Sequence, residues 1–180
     1  MSQYRLIEKQ VVFKGKKVRV EVDRLENEET QTEVIREMVI HPGAVVILPV
    51  MEDGRVLLIR NHRYSVHQIL IELPAGTLEK GEDPMNCAGR ELLEETGYLA
   101  GKLQRISAFY SSPGILTEKL YAFAAYHLEK KQTALEEGEE IEIMPTLFDD
   151  ALKMIDSGEI MDGKTIATLL MYERSHRAPT

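Results

Sequence analysis

Apolar and polar residues alternate at residues 17–25, where Val18, Val20 and Val22 are separated by Arg19 and Glu21. A period of two is that of a half-buried strand. Residues 10–14 read as its hairpin partner across Gly15, and residues 26–31 as a polar connection. Residues 32–40, with Val34, Ile35, Met38 and Val39, read as a third strand. Gly43 opens another over 44–50, which Asp53-Gly54 turns back into 56–60. The apolar run 69–73 ends at Pro74 and feeds a loop, 75–82, that carries two glycines. Further strands are expected over 104–110, 119–128 and 141–144. The period then becomes helical. Leu147, Ala151, Met154 and Ile155 share a face over 147–157, and Ile166, Leu169, Leu170 and Tyr172 over 164–174.

The segment after the 75–82 loop carries the chemistry. Asp83 is a good N-cap, Pro84 fits the first helical position and Gly97 suits a left-handed C-terminal cap. Met85, Ala88 and Leu92 form an apolar stripe between them, and Cys87, Glu91 and Glu95 step by four along another. Glu91 faces both Glu94 and Glu95, and like charges at those spacings repel. They also crowd the negative end of the helix dipole. Arg90 reaches Glu94 at i,i+4, but one cation does not balance three anions. A local conflict of this kind marks functional sites, and a divalent metal is the natural missing cation. A solvated acidic face is the other reading of the same charges.

Composition narrows the function classes. A chain of 180 residues, 43% hydrophobic and 29% charged, suffices for one domain with a core and a small appendage. A net charge of −8 argues against a non-specific nucleic-acid or membrane surface. Cys87 is the single cysteine, so no internal disulfide forms and a reducing cytoplasm is expected; a buried packing role suits it better than a chemical one. No leader-like segment and no membrane-length apolar run stands out.

Gly76, five residues, Glu82, seven residues, Arg90-Glu91-Leu92, one residue, Glu94-Glu95, one residue, Gly97: this spacing resembles the box of the Nudix hydrolases at every fixed position. Tyr98 departs from the smaller aliphatic residue usual there. The resemblance implies an α/β/α sandwich with a mixed sheet, and cleavage of a nucleoside diphosphate linked to another moiety. It implies Mg²⁺ (or Mn²⁺) on Glu91, Glu95 and the carbonyl of Ala75. Glu94 would assist or bind a further ion, Arg90 would orient the carboxylates, and Gly76 would let the backbone turn its carbonyl to the metal.

Sixteen residues after Gly97, Pro113 lies in Ser111-Ser112-Pro113-Gly114, a placement that resembles the ADP-ribose pyrophosphatase branch. A plain turn is the alternative reading, and Leu116-Thr117-Glu118 departs from the branch's aromatic-then-acidic wording. By the same resemblance the acidic loop 136–140 supplies a general base, Glu137, and a metal contact, Glu139, with Glu136 and Glu140 as rivals. Residues 1–42 would form a small antiparallel sheet for homodimerisation, and 43–180 the hydrolase domain. Arg36 and Glu37 are candidates for the adenine end, or a solvent-facing pair. Arg63 matches a phosphate-contacting arginine; His62 and His67 are placed in its loop as surface residues. The expected reaction is hydrolysis of ADP-ribose to AMP and ribose 5-phosphate. The alternatives are GDP-mannose or another nucleoside diphosphate sugar, and a non-catalytic nucleotide-binding module, against which the intact box carboxylates argue.

Overall fold

The computed structural model describes residues 3–131 and 141–176. The chain divides into two compact units, Met1–Gly43 with Tyr110–Lys119, and Ala44–Phe109 with Leu120–Thr180.

The first unit is an antiparallel sheet in the order β1 (Tyr4–Lys14), β2 (Arg19–Asn27), β3 (Glu33–Ile40). β1 is longer than its alternation announced, because two register irregularities, at Leu6/Glu8 and Val11/Phe13, interrupt the period. Every residue of β1 is exposed, including Leu6, Val11, Val12 and Phe13. The 110–119 segment joins this unit: Val39 donates to the carbonyl of Ile115 (2.8 Å) and accepts from Thr117 (3.0 Å), so 115–117 lies along β3. The sequence marks that segment by Pro113, as a branch resemblance or a plain turn, and carries no sign of its pairing with β3.

The second unit is built on a mixed sheet, β7 (Ala75–Thr77), β4 (Ala44–Pro49), β9 (Lys119–Lys130) and β8 (Tyr98–Tyr110), in which β4 runs parallel to β9 and antiparallel to β7. All of β4 is buried, and its alternation divides the core in two. Val45 and Ile47 pack with Phe123 and Ala125 against Cys87, Ala88 and Leu92 of α1 (Pro84–Thr96). Val46 and Leu48 face the other way, toward Phe148 and Ala151 of α2 (Phe148–Asp156) and Leu169 of α3 (Gly163–His176). Helices on both faces of one sheet make the expected α/β/α sandwich. A second antiparallel sheet, in the order β10 (Ile141–Leu147), β5 (Arg55–Arg63), β6 (Gln68–Glu72), adds Val56 and Leu58 to the α2/α3 side. Pro145 sits in β10, at the edge of that sheet, where a missing N–H is tolerated.

Two departures bear on the site. Residues 75–77, read as loop, form β7 on the edge of β4; three residues are too few to show a period. β5 continues through Arg63 instead of ending at residue 60, so His62 lies on a strand rather than in a loop with His67. Among the described residues no helix is long and apolar enough to cross a membrane.

Candidate active site

α1 forms where its caps place it. The Asp83 carboxylate accepts from the amides of Met85 (2.9 Å) and Asn86 (3.3 Å), and Gly97 takes φ 69° with its N–H on the Leu93 carbonyl (2.8 Å). Its apolar stripe docks on β4, which brings the glutamate stripe against β7.

That contact assembles the site. Buried Glu95 accepts from the amide of Ala75 through Oε2 at 2.9 Å. Glu91 lies directly on Gly76: a Cβ built there would stand 1.8 Å from the Glu91 carboxyl carbon. This corrects the reason for the glycine. Gly76 lies in a strand without positive φ, so conformational freedom is not what the position needs; the side-chain carboxylate occupies the space a Cβ would fill.

Arg90 holds three carboxylates. Its Nε and Nη2 form a fork on Glu82, both at 3.0 Å, while Nη1 donates to Glu91 (2.7 Å) and Glu94 (3.0 Å). Hydrogen bonding to Arg90 pulls the Glu82 carboxyl down to about 2. The fork on Glu82, in the loop ahead of the helix, was not anticipated beyond that residue's place in the box. Burial, followed by the neighbouring Glu82, pushes the Cys87 thiol up to about 12, which keeps it protonated and inert.

The donor set fits a hard divalent cation. Glu82, Glu91 and Glu94 share one guanidinium that balances one of their three charges, and Glu95 stands one turn beyond Glu91. Among the described residues no three such side chains already converge as a cage. Glu91 and Glu94 are turned to Arg90, and Glu95 to the Ala75 amide.

A second polar cluster adjoins the first. Glu72, fully buried at the end of β6, receives Arg63 as a fork, Nε to Oε1 at 2.8 Å and Nη2 to Oε2 at 2.5 Å. Lys164, in the first turn of α3, donates to the same Oε2 at 2.6 Å and pairs with Asp162 at 2.9 Å. Burial pushes the Glu72 carboxyl up, but Arg63 and Lys164 together outweigh it and leave it below the ordinary carboxylate range. Hydrogen bonding to Glu72, and to a lesser extent the charge of Glu95, holds the Arg63 guanidinium above its ordinary pKa. Neither Glu72 nor Lys164 was singled out from the sequence. A lone glutamate in the apolar run 69–73 was the available signal for the first; nothing marks a lysine 92 residues away.

In the other unit, Arg36, Glu37 and Pro113 line a single cavity of ≈ 600 Å³ with Met38 and Tyr110. Thr117, also on its lining, accepts from the His41 amide at 2.9 Å. Glu137 and Glu139, with Glu136 and Glu140, lie outside the described residues.

Comparison with known proteins gives a consistent picture. A NUDIX domain model matches residues 40–161. An ADP-ribose pyrophosphatase of Bacillus subtilis (strain 168) is 41% identical over 88% of this chain and 86% of its own. A methanol dehydrogenase activator of Bacillus methanolicus is 36% identical over 92% and 90%. A GDP-mannose pyrophosphatase of Yersinia pestis (strain Pestoides F) is 40% identical over 77% and 73%. Among solved structures, one described as an ADP compounds hydrolase superposes with a TM-score of 0.87, covering 97% of this chain and 95% of that one at 19% identity, a likeness of fold. With its box assembled between α1 and β7 and the domain match spanning most of its length, the chain belongs to the Nudix family.

Proposed function

We propose that this Nudix protein is a cytoplasmic pyrophosphohydrolase that splits ADP-ribose into AMP and ribose 5-phosphate with Mg²⁺. The observation that carries the reading is Glu91 seated on Gly76 beside Glu95 on the Ala75 amide. A box that had lost its function would not need to keep a Cβ-free position for one carboxylate. Residues that would hold the metal are Glu91, Glu95, the Ala75 carbonyl and Glu139. When bound, the cation offsets negative charge on the pyrophosphate and lowers the barrier to attack by water.

The chain's own residues do the rest. Arg90 keeps Glu91 and Glu94 in place from the far side of the cluster, and Glu94 assists at the metal. Glu137 takes the proton of the attacking water, which requires an approach of about 3 Å. Arg63 binds phosphate: its Nε–Nη2 edge is occupied by Glu72, but Nη1 has no partner among the described residues and its side chain is 36% exposed. Arg36, Glu37 and Pro113 bind the nucleoside end in their cavity, whose volume is that of a small-molecule site. Pairing of two copies through the exposed apolar β1 would complete a homodimer, in which residues 1–42 act as the dimerisation element.

The test is incubation with ADP-ribose in the presence of Mg²⁺ or of chelator, resolving products by chromatography. AMP and ribose 5-phosphate appear only with metal. A second reading, the same chemistry on GDP-mannose, is favoured by the similarity to GDP-mannose pyrophosphatases. Faster turnover of that sugar in the same assay would select it.

A further inference from the structure

The start of α3 lies far from the box in sequence, yet it is fastened to the strand that leads into it. Asp162 accepts the amide and the hydroxyl of Thr165, at 3.0 and 2.6 Å, and so caps the helix. The Thr165 oxygen in turn accepts the Leu73 amide at 2.8 Å, two residues before Ala75. With the helix registered in this way, Lys164 is delivered to Glu72, where its Nζ shares Oε2 with Nη2 of Arg63. The Lys164 side chain is 17% exposed and that of Glu72 1%. The shared oxygen is therefore screened from water and its two cations compete for it.

We infer that Lys164 is a positioning residue for the phosphate contact: by sharing the buried Glu72 carboxylate with Arg63, it sets how tightly that guanidinium is held and how much of its charge remains for an anion. Glu72 alone would neutralise Arg63. With Lys164 present the carboxylate is divided between two cations, so Glu72 holds Arg63 less tightly and the Nη1 edge stays available to an anion. Without Lys164, Arg63 becomes the principal counter-charge of a buried carboxylate, a role from which it is costly to withdraw. Asp162 pairs with Lys164 from the other side and holds it in the shared position. The bidentate fork fixes the plane of the guanidinium, so its unused edge has one direction to offer.

The inference rests on the reading that Arg63 contacts phosphate, and a double-mutant cycle separates the two. Affinity for inorganic pyrophosphate in the presence of Mg²⁺ is measured by calorimetry on the full chain, together with KM and kcat for ADP-ribose. Lys164→Met is expected to weaken pyrophosphate binding and raise KM about tenfold, the worth of one charge-assisted hydrogen bond, with a smaller change in kcat. In an Arg63→Met background the same substitution is expected to change neither further. Lys164→Arg, which keeps the charge, is expected to restore most of the affinity. If Lys164→Met does not fold, Lys164→Gln takes its place in the cycle. Unchanged affinity in Lys164→Met, or an equal loss with and without Arg63, overturns the inference while leaving the phosphate contact standing. Unchanged pyrophosphate affinity in Arg63→Met alone overturns the phosphate contact itself.

Discussion

Gly76→Ala is the substitution whose outcome the geometry predicts most sharply. The new Cβ would lie 1.8 Å from the Glu91 carboxyl carbon and 2.0 and 2.3 Å from its oxygens. The carboxylate has to retreat by roughly 1.5 Å or more to reach van der Waals contact. It can do so, because it is the end of a flexible side chain while β7 is backbone tied to β4. The fold survives and the carboxylate moves. The stability cost is bounded by the Arg90–Glu91 hydrogen bond, about 1.5–3 kcal/mol for a charged pair. It falls to about 1 kcal/mol because Arg90 keeps Glu82 and Glu94 and is partly solvated. The activity cost is larger: displacing a metal-binding group by about 1 Å costs on the order of 10²-fold in kcat/KM, equivalent to about 2.7 kcal/mol of barrier. Two measurements on one sample decide it, a thermal melt and kcat/KM for ADP-ribose across a Mg²⁺ titration. The expected result is a nearly unchanged Tm, a large loss of turnover and a higher Mg²⁺ requirement. Full activity at the wild-type Mg²⁺ requirement would refute the claim that Glu91 acts from its place on Gly76.

Other expectations follow from single features. Gly89→Ala, inside α1 where a Cβ meets only Leu103 at 3.7 Å, should stabilise the protein by about 0.5–1 kcal/mol, raising Tm without loss of activity. Because the folded Glu82 carboxyl is held down to about 2, below its ordinary 4.5, its contribution to stability is complete above 4.5 and is lost as pH falls toward 2. Melting curves between those values should show the loss, and Glu82→Gln should remove that share of it. Glu95→Gln should remove most turnover while Tm holds, since the Ala75 amide keeps an acceptor; steady-state kinetics alongside a melt tests this. Glu137→Gln should lower kcat by about 10²- to 10⁴-fold if it is the base, and a loss of that size at Glu136 or Glu139 with Glu137 silent would reassign the role.

Much of this was legible before any coordinates, and the reason is range. Caps, box spacing and the stripes of α1 are relations within a few turns of one helix, where a sequence pattern is a spatial pattern. Asp83 and Gly97 bounded α1 because capping is satisfied by neighbours. The apolar run opened by Gly43 announced a strand over 44–50, but with no polar residue to mark a face; the pleat of β4 in the folded sheet sent Val45 and Val46 to opposite sides. Resemblance at the box then carried the substrate class and named candidates for a metal set, which periodicity does not encode.

Contacts that join distant segments were decided by packing. The Gly76–Glu91 approach depends on how α1 docks against an edge strand too short to announce itself. The pairing of 115–117 with β3 placed Pro113 and Arg36 on one cavity, though they lie far apart in sequence and no local pattern joins them. Arg63 was named for phosphate, but its fork on Glu72 and the sharing of that carboxylate with Lys164 arise only when β5, β6 and α3 come together. The sequence by itself determined the chemistry available, since residue type and local spacing set charge, donor atoms and caps. Tertiary structure decided which charges meet, because a buried ion pair forms where the backbone delivers both partners and neither strand nor helix carries a local mark of the other.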